Sequence, residues 1–142
     1  MRLTHFSDYA LRVLLFAAAA GDRLVTIDET AKVYGISRAH LMKVVNQLTR
    51  AGFLAAVRGR AGGLKLARPP EAIRLGDVVR ATEPDFALVE CFSPDCACRI
   101  MPRCRLRGVL NEALDAFHAR LDRSTLADLM LPPRDFGLQP AA

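Results

Sequence analysis

The stretch that decides the fold is TIDETAKVYGISRAHLMKVVNQLTR, residues 26–50. Thr26-Ile27-Asp28-Glu29 has the pattern of a capping box. In that motif the threonine hydroxyl accepts the N–H of the glutamate, whose carboxylate reaches back to the cap. A helix therefore begins after Thr26. Gly35 stands where a left-handed C-cap closes it, and Ser37 can cap another helix after a very short turn. Two helices joined through Gly35-Ile36-Ser37 predict a helix-turn-helix. The second helix has an apolar stripe of Leu41, Val44, Val45 and Leu48. Its opposite face carries Arg38, Ala39, Lys43, Asn46 and Arg50, flanked by His40 and Gln47, and is free to enter a major groove.

Downstream, Gly52 ends that helix. Phe53-Leu54-Ala55-Ala56-Val57 and Leu64-Lys65-Leu66 flank a glycine-rich stretch, Arg58-Gly59-Arg60-Ala61-Gly62-Gly63, which predicts a β-hairpin serving as a wing. Arg58, Arg60 and Lys65 are placed there to meet phosphates or a minor groove. Upstream, Phe6, Ala10, Val13, Leu14 and Ala17 recur at helical spacing and predict a helix from about Ser7 to Ala20, stopped by Gly21. Pro69-Pro70 marks a boundary, residues 73–82 form a short helix and Pro84 stops it. From about Arg105, the stripe Leu106, Leu110, Ala113, Leu114, Phe117 and Leu121 predicts a long helix. A small head has little surface to cover so long a stripe, which favours pairing with a second copy. The expected fold is mainly α with a small β-hairpin. It comprises a winged helix-turn-helix over residues 1–82, a cysteine-bearing loop over 83–104, a dimerisation helix over 105–131 and a mobile tail over 132–142.

Charge follows the same plan. The chain has 142 residues, 51% of them hydrophobic, enough to bury one real core. Its net charge of +5 is concentrated. Residues 30–70 hold eight basic side chains and no Asp or Glu, whereas residues 1–29 sum to −1 and 71–142 to −2. Positive charge gathered on the predicted reading elements points to a polyanionic partner, double-stranded DNA. Such a helix-turn-helix can also serve protein contacts. No segment is long enough to span a bilayer, so no membrane is expected as a partner. The apolar run Val13–Ala20 could suggest a signal peptide, but Asp8 and Arg12 interrupt its approach and its helical spacing suits a packed helix. The expected location is the cytoplasm.

Cys91, Cys96, Cys98 and Cys104 all fall within fourteen residues, in the order Cys-x4-Cys-x-Cys-x5-Cys. This is neither the paired spacing of common zinc modules nor either of the common ferredoxin spacings. In a reducing compartment, clustered cysteines favour metal or redox chemistry over structural disulfides. Three readings stay open on the residues alone: a cluster, a structural zinc, or a thiol–disulfide sensor. Arg99, Arg103, Arg105 and Arg107 surround the thiols, and positive neighbours stabilise thiolates. No enzyme is expected: His5, His40 and His118 are scattered, and the glycine-rich 59–63 stretch opens no strand-to-helix phosphate cradle.

The chain resembles the family of winged-helix iron–sulfur repressors of the NsrR and IscR type, and within it the nitric-oxide-sensing, NsrR-like members. The segments that carry the likeness are MRLTHFSDYALR (1–12), YGISRAHLMKVVNQL (34–48), VRGRAGGLKLARPP (57–70), LGDVVRATEP (75–84), CRLRGVLNEAL (104–114) and LDRSTLADL (121–129). The resemblance implies a homodimeric repressor with one iron–sulfur cluster per subunit, [4Fe–4S] or [2Fe–2S], whose reaction with nitric oxide releases the DNA operator. It implies three thiolate ligands, best matched by Cys91, Cys98 and Cys104, with Cys96 an additional thiol and alternative ligand. It implies a fourth ligand, Asp8 of the partner subunit, within Ser7-Asp8-Tyr9. IscR-like members carry a histidine three residues after the last cysteine, where this sequence has Arg107.

Overall fold

The structure, a computed structural model, describes residues 1–139. Its first helix, α1 (His5–Ala19), starts where Thr4 accepts the Ser7 amide with its hydroxyl. This is two residues earlier than the apolar spacing suggested, because the cap and not the stripe sets a helix start. Helix α2 (Ile27–Tyr34) has both halves of the Thr26–Glu29 capping box in place, and Gly35 closes it at φ 64°. Helix α3 (Arg38–Arg50) follows at once, capped by the Ser37 hydroxyl on the His40 amide. Strands β1 (Leu54–Val57) and β2 (Gly63–Leu66) pair antiparallel, with Leu54 opposite Leu66 and Val57 opposite Gly63. Val25 bridges to Leu64 on the free edge of β2, so the wing is tied to the segment entering α2.

The core lies where α1, α3 and the hairpin meet. Leu14, Phe16, Leu41, Leu48 and Leu54 are fully buried. The stripe read from α3 is the stripe that is buried, Leu41, Val44, Val45 and Leu48. Each such side chain contributes about 1.5–3 kcal/mol of apolar transfer, so α3 is held by its inner face and its outer face is left free.

Helix α4 (Leu75–Thr82) packs on α1. It begins two residues after the expected start because Ile73 is extended, and its carbonyl accepts the Leu126 amide. Glu83 leaves the helix in the extended region, as a residue before Pro84 must. Helix α5 (Arg105–Asp122) has no buried residue; Leu106 and Val109 are each 61% exposed. Arg80 joins the two helices by bonding Asp77 and Asp122, and the hydrogen bond from Arg80 holds the Asp122 carboxyl below its ordinary range. A Cβ at Gly76 would meet the ends of the Asp122 and Arg80 side chains, so a substitution there would displace that ion pair.

Two expected boundaries differ. Helix α5 ends at Asp122, short of residue 131, because Leu126 turns inward to full burial and Asp128 caps the Thr125 amide. The segment expected to be a mobile tail from residue 132 instead returns to the head. Pro133–Phe136 form a 3-10 turn and Leu138 is buried. Residues 140–142 of that expected tail lie outside the described residues.

Candidate DNA interface and cysteine loop

Ala39, His40, Lys43, Asn46 and Arg50 are all exposed and recur every three or four residues, so they form one outward face of α3. Arg38 is exposed at the start of that face and is paired with Asp28 at 2.7 Å. That pair is solvent-covered on both sides, and an exposed pair is worth at most about 1 kcal/mol, so Arg38 can exchange Asp28 for a phosphate. Gln47 does not belong to the face: its amide donates to the Ala81 carbonyl at 3.1 Å and docks α3 on α4.

Arg58, Arg60 and Lys65 are exposed on the wing. The tip is built from glycines for a steric reason. A Cβ on Gly62 would strike the Val57 carbonyl oxygen, and Gly59 takes φ 115°. Arg68 lies in the same basic stretch but has another role. Its Nε and Nη2 donate to the carbonyls of Gly52 and Ala51, and its guanidinium covers the Phe53 ring at 4.7 Å. It fastens the base of the wing to the end of α3.

The α1 side chains nearest the reading helix form a connected group. Tyr9 meets the His40 ring edge-on at 6.0 Å and stacks on His5 at 5.8 Å. Arg12 pairs with Asp8 at 2.8 Å and lies over the rings of Tyr9 and Tyr34. Tyr34 donates its hydroxyl to the Arg12 carbonyl; burial pushes that hydroxyl up to about 12, against the opposing charge of Arg12. Asp8 therefore stands near the N-terminus of α1 with its carboxylate already engaged inside its own subunit.

The cysteines occupy a loop broken only by short turns at Glu90–Phe92 and Met101–Arg103. All four are free thiols; Cys98 is exposed and Cys91, Cys96 and Cys104 are partly so. Among the described residues no three His, Cys, Asp or Glu side chains stand close enough to hold a metal ion. The structure thus does not gather Cys91, Cys98 and Cys104 into one site, nor bring Asp8 to them. The donor set nevertheless fits an iron–sulfur cluster chemically: soft thiols, unpaired with one another, on an irregular loop. The root of the loop is fixed. Glu83 accepts both the amide and the hydroxyl of Thr4, at 2.8 and 2.9 Å, and Thr82 donates its hydroxyl to Ser7 in a buried contact. Sequence reading missed this clasp between the loop root and the start of α1. Thr4-x-x-Ser7 is a recognisable cap, but nothing local marks Glu83 as its partner across 79 positions.

A helix-turn-helix with an exposed basic face and a glycine-built wing on one head is the arrangement of a DNA-binding transcription regulator. The chain belongs to the Rrf2 family of iron-dependent transcriptional regulators, whose model matches residues 3–132. The family and its structural relatives are regulators of transcription, and this chain is a regulator rather than an enzyme. It is similar to IscR of T. potens, at 25% identity over 91% of this chain and 85% of that one, with a TM-score of 0.73. It is also similar to CymR of B. subtilis, the global cysteine regulator, at 26% identity over 91% and 95% of the two chains, with a TM-score of 0.65. The oxidized form of Staphylococcus aureus CymR matches at 26% identity over 89% and 93%, with a TM-score of 0.70. The winged-helix fold is thereby shared with both IscR and CymR. Among the described residues no helix is long and apolar enough to cross a membrane.

Proposed function

We propose that the protein is a cytoplasmic, homodimeric repressor that holds an iron–sulfur cluster on the 83–104 loop and releases its operator in response to nitric oxide. The observation that carries this reading is the set of four free thiols on an otherwise irregular loop whose root is clasped to α1, in a chain of an iron-dependent family. Cys91, Cys98 and Cys104 supply thiolates, with Cys96 as the alternative in the middle position. Asp8 of the partner subunit supplies the remaining oxygen. When bound, the cluster supplies iron that reacts with nitric oxide. A carboxylate is a hard donor among soft ones, so Asp8 would hold the cluster through its weakest bond. Asp8 lies on the helix whose Tyr9 meets His40 of α3, so a cluster held by Asp8 would be one residue from a ring that contacts the exposed face of α3.

DNA is read by the outer face of α3, with Arg38, Ala39, His40, Lys43 and Asn46 toward the major groove and Arg58, Arg60 and Lys65 on the backbone or minor groove. The stripe of α5, exposed at Leu106 and only partly covered at Leu110, Leu114, Phe117 and Leu121, pairs two copies. A second reading is favoured by the likeness to CymR and by the ungathered cysteines: thiol-based sensing without a cluster. A zinc-stabilised DNA-binding module is the third.

Purification without oxygen, followed by visible absorption and iron, sulfide and zinc analysis, separates them. The cluster reading expects a brown protein with iron and sulfide. It expects Cys91→Ala, Cys98→Ala and Cys104→Ala each to abolish the colour, and Cys96→Ala to keep it. A colourless protein that binds zinc supports the third reading, and one that binds neither metal supports the second. A folded but clusterless Cys96→Ala variant would show Cys96 to be the middle ligand.

A further inference from the structure

We infer that Phe136 is a positioning residue for DNA reading, and that residues 133–138 brace the turn of the helix-turn-helix. The inference rests on DNA binding and not on what the cysteine loop senses. The family model matches residues 3–132, and this segment follows that match. It closes on itself: the Leu138 amide donates to the Pro133 carbonyl and the Gly137 amide to that of Arg134. Gly137 takes φ 71°, a conformation that favours glycine and lets the chain reverse after Phe136.

This closure sets Phe136 against one ring from each of two helices. Its centroid is 6.0 Å from Phe16 of α1 and 6.4 Å from Tyr34 of α2, with interplanar angles of 64° and 76°. Phe16 and Tyr34 themselves meet at 6.4 Å and 75°. Three rings therefore meet edge to face, each touching the other two, the arrangement their quadrupoles prefer. Leu138 is buried beside them.

Tyr34 is where the brace acts on function. It is the last residue of α2, and Gly35 begins the turn into α3. Its hydroxyl is tied to α1 through the Arg12 carbonyl. Phe136 thus presses on a ring that joins α1 to the turn, and the inclination of α2 on α1 determines where α3 emerges. Without Phe136, Tyr34 keeps its hydrogen bond but loses a ring contact, and the turn gains freedom. A reading helix with more orientations must lose that freedom on binding, which weakens association without removing any contact to DNA. Phe136 is uncharged and neutralises no phosphate.

The test compares the full chain with Phe136→Ala, Phe136→Leu and Phe136→Tyr. The DNA probe is a duplex enriched by the wild-type protein from a random pool. Expected in Phe136→Ala are about tenfold weaker binding, the scale of re-ordering roughly one residue of the turn on association, and an unchanged slope of log affinity against log salt. Amide exchange should quicken at residues 34–37 while α5 keeps its protection. Phe136→Tyr should restore both. Phe136→Leu, which keeps apolar bulk and fold, should show the same local quickening. Wild-type exchange at residues 34–37 in both Phe136→Ala and Phe136→Leu would overturn the inference. So would a rise in exchange spread evenly over the whole chain, which would mean general destabilisation. If the wild-type protein enriched no duplex, the DNA reading itself would fail, and exchange alone would then decide the brace.

Discussion

Arg12 grips Asp8 one helical turn away, with Nη2 2.8 Å from Oδ2 and Nε 3.1 Å from Oδ1. Both side chains are about two-fifths exposed, so the pair contributes about 0.3–0.5 kcal/mol and holds the carboxylate only lightly. If Asp8 reaches into the partner's loop, it must exchange a guanidinium for iron. Asp8→Ala should therefore leave folding almost unchanged while altering the visible spectrum of the cluster-bound protein and its rate of nitrosylation. Asp8→Cys, a softer and stronger donor, should slow nitrosylation. Should both variants match the wild type in spectrum, rate and DNA binding, Asp8 is a helix residue paired with Arg12 and nothing more.

Arg58, Arg60 and Lys65 are exposed and unpaired among the described residues. Log affinity for DNA should fall with log salt, by a slope of about −0.9 per phosphate neutralised. Arg60→Ala should weaken binding and flatten that slope. An unchanged slope and affinity would remove the wing from the interface.

The shape of the wing depends on Gly62. A methyl group on Gly62 would strike the Val57 carbonyl, which is backbone and has little room to give. Gly62→Ala should rebuild the tip. DNA affinity should drop while circular dichroism shows the helices intact, since α1, α3 and α4 pack without the tip. Wild-type affinity in this variant would mean that the tip does not touch DNA.

The helix-turn-helix was legible because its information is local. Thr26, Glu29, Gly35 and Ser37 each act within four residues, and the period of Leu41, Val44, Val45 and Leu48 identifies the buried face. The outer face followed by subtraction. What stayed hidden depends on partners far along the chain: Arg68 bonding back across the hairpin, Glu83 reaching Thr4, and Phe136 returning to Phe16 and Tyr34. Phe136 sits in a segment with no periodicity, between prolines and a glycine, and such composition reads as a free end. The cysteine loop is the opposite case. Its residues are conspicuous in sequence, yet one chain alone does not bring them together.

Acid should loosen the capping box. Burial pushes the Glu29 carboxyl up, but hydrogen bonds from Thr26 and Arg23 outweigh it and hold the carboxyl below its ordinary 4.5. A carboxyl depressed in the folded state adds stability that is fully present above its ordinary value and is lost as pH falls through the folded one. The window therefore lies below pH 4.5. Glu29→Gln keeps an oxygen for the Thr26 amide but has no proton to gain. Its stability, read from thermal melts, should lie slightly below wild type at neutral pH, by less than about 1 kcal/mol, because the Glu29 side chain is about two-fifths exposed. The two curves should converge in acid. Parallel curves down to about pH 3 would show that Glu29 contributes nothing through its charge.

Helix α5 carries the last prediction. It spans eighteen residues without one that is buried, although Leu106, Leu110, Leu114, Phe117 and Leu121 recur on one side. Helix α4 and the Arg80–Asp122 bond hold its C-terminal end, and Leu106 and Val109 at the other end face solvent. A helix stabilised mainly through an apolar face needs something to cover that face. The same stripe on a second copy is self-complementary, as a twofold interface requires. Leu114 lies near the middle of the stripe and is only partly covered in one chain. Leu114→Glu should then be almost neutral for the fold of the head, yet it would place an uncompensated charge within the paired surface, a change that costs about 3–5 kcal/mol when the charge is fully buried. Light scattering should report a wild-type dimer and a Leu114→Glu monomer. Circular dichroism of the variant should keep the signal of α1 to α4 and lose part of that of α5. DNA affinity should fall further than for any single wing substitution, because a monomer presents one α3 where a dimer presents two. A wild-type protein that is monomeric at micromolar concentration, or a Leu114→Glu variant that remains a dimer, would assign the stripe to some other covering surface.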